Sequence, residues 1–278
     1  MRQMYKQVIS VLSFITLSSC GKVPASHLSE QFPILRSGPY DMEFSFIPSG
    51  AFRMGSPEDE YQRDDNETRH WVRLTQDYWM QTTEVTVGQW YAVMGVHPKR
   101  ECWELKGAVH EHHYPVVCVN YDEVLEFVRK LNDQTKNDGY TYYLPTESQW
   151  KYAARAYTET PYSIKGEVGS FAWYLDNSKG QIHPPGQLKA NLFGLYDVHG
   201  NLWEWNLDWY AGYPKAETLE TAVIDPKGPK KPNKLGLRML SGGSWNNPDW
   251  ACRSAHRFGG KPDGRFGNLG FRVIRISD

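Results

Sequence analysis

The sequence predicts an α+β domain with few helices, small sheets and a large share of irregular chain. Three helix starts carry the same capping signature, strand-like alternation occurs only in short runs, and regular periodicity fades beyond residue 160. The 11 Trp and 17 Tyr among 278 residues suit short elements held together by large flat side chains. About 20 residues resemble a targeting segment, and the remainder has the length of one large or two small domains.

Each predicted helix begins with a residue that can cap it, three positions before a glutamine or glutamate. The cap and that third residue can satisfy each other's backbone N–H groups. The three capping boxes are Thr86-Val-Gly-Gln89, Asn120-Tyr-Asp-Glu123 and Thr146-Glu-Ser-Gln149. The second helix is expected to end near Asn132, and an apolar stripe runs along it at Val124, Phe127, Val128 and Leu131. The third helix carries its apolar residues on one face, at Trp150, Ala153 and Ala154.

Two short segments alternate well enough to be strands. Phe44 to Arg53 is the first and ends at the turn-prone pair Ser49-Gly50, whereas Tyr140 to Leu144 is the second and precedes the third helix. The basic run at 227–234 is broken by Pro and Gly, so we interpret it as a solvated loop. The formal net charge of −1 gives no electrostatic case for nucleic acid as a partner.

The first residues predict a bacterial lipoprotein signal. Arg2 and Lys6 precede an apolar stretch that is too short to span a bilayer and that ends at Leu17-Ser-Ser-Cys20. This box resembles a lipobox, which implies cleavage before Cys20 and acylation of its sulfur; an ordinary secretory signal is the alternative. We therefore expect a signal peptide at 1–19, a lipidated tether at 20–40 and a folded domain at 41–278. The acylated Cys20 would bind the lipid membrane, and the protein would lie in the bacterial cell envelope, at the outer membrane or cell surface.

Three cysteines remain in the chain after Cys20. The compartment beyond the inner membrane is oxidising, and Cys102 and Cys118 enclose a short loop, so we expect them to form a disulfide. Cys252 would then keep a free thiol. A metal site is the alternative because His110-Glu-His112-His113 lies between the pair, although the spacing matches no standard zinc pattern.

A series of short motifs also runs in order through the chain. They are Phe52-Arg-Met-Gly-Ser56, Glu84-Val-Thr-Val-Gly-Gln-Trp90, Leu144-Pro-Thr-Glu-Ser-Gln-Trp150, Asn191-Leu-Phe-Gly-Leu-Tyr-Asp197, Val198-His-Gly-Asn-Leu-Trp-Glu-Trp205, Ser241-Gly-Gly-Ser-Trp245, Cys252-Arg253 and Gly270-Phe-Arg272. Each is weak alone, but the ordered set resembles the formylglycine-generating enzyme, or sulfatase-modifying factor, family over nearly the whole mature chain. The resemblance implies a modified C-type-lectin-like fold that is rich in loops. It also implies that four aromatic residues are core residues, namely Trp150, Trp203, Trp205 and Phe271.

Enzymes of this family hold Cu(I) and activate O2 with two cysteines five positions apart, and soft thiolates suit Cu(I). The resemblance places the second of these at Cys252 and puts Asn247 where the first would stand. Because an amide is a poor Cu(I) ligand, the resemblance implies that copper is not bound and that full oxidase activity is absent. Cys252 is then the candidate catalytic residue for some other thiol chemistry, with a buried structural thiol as the alternative.

The resemblance also implies a calcium site. Its oxygen ligands would come from Asp197, Gly200, Leu202 and Glu204, a donor set that suits Ca²⁺. A packed turn without metal is the alternative. A second calcium segment of the family is shortened in this chain, where only Asn177 and Ser178 remain recognisable.

In the family, a peptide groove lies beside the cysteine pair. The resemblance implies a ligand cleft here that is lined by Trp245, Asn247, Trp250, Arg253, His256 and Arg257. Three functions stay open: a lipoprotein that binds an unidentified protein, peptide or small molecule; an oxidative enzyme of the family; and a variable receptor of the kind diversified by reverse-transcription elements. The display positions of such a receptor would be Asn246, Asn247, Asp249, Trp250, His256, Phe258 and Phe266.

Overall fold

The computed structural model describes residues 33–99 and 111–278. Within these ranges there are three α-helices, α1 (Val87–Met94), α2 (Tyr121–Gln134) and α3 (Glu147–Arg155). The strands are β1 (Leu35–Ser37), β2 (Glu43–Ile47), β3 (Gly50–Met54), β4 (His70–Leu74), β5 (Tyr78–Gln81), β6 (Tyr140–Tyr143), β7 (Trp203–Trp209), β8 (Val223–Ile224), β9 (Arg238–Ser241), β10 (Phe258–Gly260), β11 (Leu269–Gly270) and β12 (Ile274–Ser277). None of the described helices is both long and apolar enough to cross a membrane.

All three predicted capping boxes are confirmed. At the start of α1, for example, Gln89 N donates to Thr86 Oγ1 at 3.2 Å, while Thr86 N donates to the side-chain oxygen of Gln89 at 3.0 Å. Helix α2 continues to Gln134, two residues beyond the expected end. Asn132 lies inside the helix, where its side-chain amide pairs with the backbone of Tyr142 at 2.8 and 2.9 Å and so links α2 to β6.

The largest sheet has the strand order β1-β2-β5-β12-β6. The segment expected as one strand at 44–53 forms two strands, β2 and β3, which belong to different sheets. The turn between them is held by Asp77, whose Oδ1 accepts a hydrogen bond from Ser49 N at 2.6 Å. Strand β1 pairs with β2, so Leu35–Ser37, which lie within the range expected for the tether, belong to the largest sheet.

Two smaller sheets have the orders β3-β4-β8 and β10-β9-β7-β11. In the second of these, Glu204 on β7 pairs with Ser241 on β9 and with Gly270 on β11, which brings three of the sequence motifs together. The tryptophans and phenylalanine expected in the core are buried there, at Trp150, Trp203, Trp205 and Phe271. This small sheet therefore positions the C-terminal turn that contains Cys252.

Candidate functional site

Cys252 ends a short 3-10 helix, Asp249–Cys252, that follows the turn after β9. The side chain is fully buried, and its Sγ lies 3.9 Å from the carbonyl oxygen of Pro248. Burial raises the pKa of the thiol to about 12, and the charge of Asp249 adds to the shift. The sulfur is therefore protonated at neutral pH, and a protonated thiol is a weak nucleophile and a weak metal ligand. These properties favour a structural role for Cys252 over a catalytic one.

Asn247 is held inside the same turn. Its Oδ1 accepts a hydrogen bond from Ser244 Oγ at 2.5 Å, and its backbone N–H donates to Ser244 O at 2.9 Å. Its carbonyl oxygen accepts from Leu175 N at 2.9 Å. The amide oxygen at the family's first thiol position is thus engaged with the turn, and Cys252 supplies the single sulfur of this segment. The residues present do not fit a site that binds Cu(I) with two thiolates.

Arg253, expected in the ligand cleft, lies inside the protein with 2% of its surface exposed. Its guanidinium forms ion pairs with Glu60 and Glu67; Nη1 lies 2.9 Å from Glu67 Oε2, and Nη2 lies 2.8 Å from Glu67 Oε1. Nη2 also donates to the carbonyl oxygen of Gln62 at 2.6 Å. These contacts fasten the polar loop after β3 to the C-terminal segment.

Arg257 is also buried. Its Nε and Nη2 atoms donate to the two carboxylate oxygens of Glu147 at 2.7 and 2.9 Å, and its guanidinium lies over the Tyr213 ring at 3.7 Å. The structure therefore corrects the expectation that Arg253 and Arg257 line the cleft. Both guanidinium groups are paired with buried carboxylates, so neither is available to a ligand.

Four aromatic residues of the C-terminal segment keep accessible side-chain area and are together named the aromatic surface, namely Trp245, Trp250, Phe258 and Phe266. Phe258 is 52% exposed and Phe266 is 47% exposed, whereas the two tryptophans are half-buried. Trp250 meets the ring of the buried His256 edge-on at 5.5 Å. Asn246 and Asp249 add exposed polar groups beside these rings. This surface is the part of the predicted site that is accessible to a ligand.

The predicted calcium segment forms a turn before β7 in which several backbone positions have positive φ. Asp197 has φ of 57° and Gly200 has φ of 107°, and a Cβ atom at Gly200 would lie 2.3 Å from the carbonyl oxygen of Trp173. Only glycine fits so close an approach. Asp197 Oδ2 accepts a hydrogen bond from Gly186 N at 2.7 Å, but its buried Oδ1 has no hydrogen-bond partner among the described residues. One carboxylate oxygen of this turn could therefore accept a cation.

Glu204 faces the same cluster but is already paired. Arg272 donates to both of its carboxylate oxygens at 2.7–3.0 Å, and Trp150 Nε1 donates to Oε2 at 2.8 Å. Glu84, which the sequence placed in a motif without assigning it a role, is the third carboxylate of the cluster. Its Oε1 accepts from Asn201 Nδ2 at 2.9 Å, and its buried Oε2 has no hydrogen-bond partner in the described ranges.

This buried cluster contains three carboxylates and one guanidinium. Burial raises the pKa of Asp197 to about 6. Burial and the nearby Asp197 also raise the pKa of Glu84 well above its usual range. These raised pKa values mean that the carboxylates of the cluster outnumber its positive charges. A bound proton or a bound cation would supply the missing positive charge. The unpaired oxygens of Asp197 and Glu84 fit a hard cation, whereas Glu204 would have to share its carboxylate with Arg272. Gly200 and Leu202, the other two predicted ligands, are buried beside the cluster.

The two residues that remain of the second calcium segment, Asn177 and Ser178, form hydrogen bonds within their own turn. Asn177 accepts from Tyr174 N at 2.8 Å and donates to the carbonyl oxygen of Ala172 at 2.8 Å. Ser178 Oγ accepts from Gly180 N at 3.2 Å. Both side chains are used to shape the backbone, so these contacts explain the two residues without a metal.

His199 is a buried residue of the site region for which the sequence predicted no role. Its Nε2 accepts from Ser163 N at 3.1 Å, so Nδ1 carries the proton and donates to the carbonyl oxygen of Cys252 at 2.9 Å. Burial lowers the pKa of His199 to about 4, so the ring is neutral and holds the Cys252 helix in place. The position of His199 inside a sequence motif was the only indication that it has a role, and the sequence does not show which groups it contacts.

Of the two cysteines in the predicted disulfide, the structure describes one and not the other. Cys118 is buried, but Cys102 and His110 lie outside the described residues. The Cys102–Cys118 disulfide therefore stays a prediction. Cys20 and the expected signal segment also lie outside the described residues.

The family model described as a sulfatase-modifying factor enzyme 1-like domain matches residues 37–277. The chain belongs to this family. A curated relative, the formylglycine-generating enzyme of Streptomyces coelicolor, is 29% identical over 207 residues, a match that covers 68% of this chain and 61% of that protein. The chain thus spans about three fifths of the length of this relative.

Two solved structures resemble this sulfatase-modifying factor domain over nearly their whole length. Treponema denticola variable protein 1 superimposes with a TM-score of 0.73 at 26% identity, covering 87% of this chain and 99% of that chain. PvdO from Pseudomonas aeruginosa superimposes with a TM-score of 0.72 at 27% identity, covering 88% and 99%. The fold is therefore the formylglycine-generating-enzyme type, a modified C-type-lectin-like fold with small sheets and few helices.

Proposed function

We propose that this sulfatase-modifying factor protein is a cell-envelope lipoprotein that binds a ligand or partner and lacks the copper oxidase chemistry of its enzymatic relatives. The observation that carries this proposal is the turn around Cys252. Asn247 stands where a second thiolate would be needed, and the remaining thiol is buried with a raised pKa. The aromatic surface beside this turn supplies large, accessible and rigid side chains, which are the residue types that commonly anchor a partner.

A second candidate within this proposal is a variable receptor. It is supported by the similarity to Treponema denticola variable protein 1, which covers almost all of that chain. It is also supported by the exposure of several predicted display positions, which include Asn246, Asp249, Phe258 and Phe266. His256 fits this role less well because it is 6% exposed. Repeated copies of the C-terminal segment beside a reverse-transcriptase gene would distinguish this candidate from a receptor with a fixed surface.

Calcium is part of the proposal as a structural ion. The support is the buried excess of carboxylates around Asp197 and the unpaired Asp197 Oδ1. Asp197, Gly200, Leu202 and Glu204 would hold the ion, whose positive charge would stabilise the turn before β7. This turn packs against the Cys252 segment, because Gly200 N donates to the carbonyl oxygen of Gly242 at 2.8 Å.

Replacing Phe258 or Phe266 by alanine should weaken binding of peptides selected on the wild-type protein by tenfold or more, about 1.4 kcal/mol. A random peptide library is panned on the full chain, and the affinities of the enriched peptides are measured by calorimetry. Ile224→Ala is the matched control because Ile224 is 54% exposed but lies on β8, in a different sheet. Equal binding to wild type, both phenylalanine variants and the control would refute the proposed surface.

Replacing Cys20 by alanine should move the protein from the detergent phase to the aqueous phase in a phase-partition experiment. The reason is that two or three acyl chains on one residue bind a membrane stably, and Cys20 is the residue they would modify. Cys252→Ala is the control, since a buried thiol within the fold should leave the partition unchanged. If Cys20→Ala and wild type partition alike, the protein is not anchored through this residue.

A further inference from the structure

Asp64, Glu67 and His256 form a cluster of metal-ligand types that the proposed function does not use. One ligand atom from each of the three residues lies within 4.8 Å of the other two. Asp64 and Glu67 belong to the polar loop between β3 and β4, and His256 lies in the C-terminal segment next to the aromatic surface. The contacts of Arg253 with Glu67 hold the loop and the segment together at this point.

His256 directs its Nδ1 atom at the two carboxylates, at ion-pair distance from each. The residue is 6% exposed, and its buried Nδ1 has no hydrogen-bond partner within the described part of the chain. This atom lies 3.3 Å from Asp64 Oδ2 and 3.6 Å from Glu67 Oε1. Ligands of a tetrahedral metal with bonds of about 2.0–2.2 Å stand about 3.3–3.6 Å apart. The two separations from Nδ1 therefore match two edges of such a tetrahedron, and the ligand atoms of the two carboxylates lie within 4.8 Å of each other.

The charges near the cluster also favour a cation. Glu60 and Glu67 form ion pairs with the guanidinium of Arg253, and Arg155 is a second guanidinium near Glu60. Asp64 adds a third carboxylate, which lies beside His256. Lys151 is the next cation, and its Nζ donates to the carbonyl oxygen of His256. A divalent ion would place positive charge beside Asp64, whose ion pair within the described residues is with His256.

We propose that Asp64, Glu67 and His256 bind a divalent transition metal ion of the Zn²⁺ class. His256 Nδ1, Asp64 Oδ2 and Glu67 Oε1 supply three ligands, and the fourth position is open to solvent because the Asp64 side chain is 48% exposed. An imidazole nitrogen with two carboxylates selects such a metal over calcium, which prefers oxygen ligands alone.

Glu67 is oriented for this role by groups that do not bind the metal. Ser56 Oγ donates to Oε2 at 2.7 Å, and Arg253 bonds both oxygens. Contacts of this kind hold ligating carboxylates in place in many metal sites, and losing them typically lowers metal affinity by about 10–100-fold. Oε1 also accepts a long hydrogen bond from Asp64 N at 3.3 Å. A metal would replace this bond at the second lone pair of Oε1, while the bond to Arg253 remains.

The test is titration of the chelator-treated full chain with Zn²⁺ by calorimetry, in saturating Ca²⁺. The excess calcium occupies any oxygen-only site, so a failure of the calcium proposal is distinguishable from a failure here. We expect one Zn²⁺ per chain and a loss of affinity of at least about tenfold in both His256→Gln and Asp64→Asn. Asp64→Asn changes a half-exposed loop residue and so keeps the test valid if His256→Gln fails to fold.

Two exposed residues provide controls, His113→Gln for the imidazole and Asp65→Asn for the carboxylate. Both control variants should bind Zn²⁺ as the wild type does. Co²⁺ should give the visible absorption of a tetrahedral ion in the wild type and lose it in His256→Gln. Zn²⁺ binding that survives both ligand substitutions, or that His113→Gln abolishes, would place the metal elsewhere in the chain and overturn the site.

Discussion

Replacing Arg272 by methionine should lower the free energy of unfolding by about 3–5 kcal/mol. Arg272 is fully buried, and its five N–H groups are used by Glu204 and by the backbone carbonyl oxygens of Gln81, Thr82 and Tyr196. Methionine fills much of the same volume but leaves the Glu204 carboxylate buried without a positive partner, with Trp150 Nε1 still donating to it. Breaking one side of a buried ion pair costs more than removing the pair because the remaining charge stays desolvated.

The carboxylates near Glu204 make the loss of unfolding free energy in Arg272→Met larger than it would be for an isolated buried ion pair. Glu84 and Asp197 are carboxylates in the same cluster, and the pKa of each is raised by burial and further by neighbouring carboxylates. Arg272 lowers both pKa values, so its removal should drive these groups further toward the protonated form. Uptake of protons would recover part of the stability at low pH, and the loss should therefore be greater at neutral pH than at pH 5.

Equilibrium unfolding in urea measures this effect, with EDTA present so that calcium does not contribute. The control is Arg129→Met, which removes an exposed ion pair with Glu126 and Asp133 on α2 and should change stability little. The double variant Arg272→Met with Glu204→Gln should recover part of the loss, because Gln removes the uncompensated charge and still accepts from Trp150. A double variant no more stable than Arg272→Met alone would show that the unpaired charge is not the cause.

The local elements of this fold could be predicted from the sequence because each is encoded within a few residues. A capping box needs only a side chain and a residue three positions later, and all three predicted boxes form. The apolar stripe of α2 is buried as its spacing indicates. The ordered motifs predicted the family and its fold, because many of their residues fill the core or permit close backbone contacts at glycine.

The pairing of distant charged residues could not be predicted in the same way. Arg253 was expected at the ligand cleft, but it is paired with Glu60 and Glu67, which lie 193 and 186 positions earlier in the chain. Arg257 pairs with Glu147 across 110 positions. A buried arginine paired with carboxylates and a ligand-binding arginine look the same in the sequence, because only the fold determines whether a carboxylate faces the guanidinium. For the same reason, the contacts of Glu84, of His199 and of the Asp64 cluster could not be predicted from the sequence.

The split of the segment at 44–53 has a different cause. Alternation indicates which residues face inward but does not indicate which strand lies alongside, and β2 and β3 pair with β5 and β4 respectively. The turn between them depends on Asp77, which is remote from Ser49 in the sequence. Short strands in a loop-rich fold are therefore placed by tertiary contacts more than by their own pattern.

Replacing Asn247 by cysteine should raise the affinity of the protein for Cu(I) by at least about a hundredfold, which corresponds to about 2.8 kcal/mol. The substitution puts a second soft ligand at the position where the enzymatic relatives have one, on the turn that leads to Cys252. It also frees Ser244 Oγ from Asn247, but Ser244 keeps hydrogen bonds with Asn246 and Asn268, so the turn should persist.

The affinity of this variant should rise steeply with pH. Cys252 is protonated at neutral pH because burial raises its pKa to about 12, and Cu(I) must displace that proton before the sulfur can bind. Each proton released makes the apparent affinity increase about tenfold per pH unit below the thiol pKa, and two thiols would give up to about a hundredfold. Competition against a chromogenic Cu(I) chelator, under reducing conditions that prevent a disulfide, measures both the gain and its pH dependence.

The matched control is Asn246→Cys, which places an exposed thiol one position earlier, where it should not share a metal with Cys252. A second control combines Asn247→Cys with Cys252→Ala and should lose the gain. An equal gain in Asn246→Cys would show that any added thiol suffices and that the position has no special geometry. Copper-dependent turnover of a Cys-x-Pro-x-Arg peptide by the wild-type protein, abolished in Cys252→Ala, would contradict the whole interpretation. Such turnover would require Cys252 to ionise despite its burial and to bind copper with a second ligand other than sulfur.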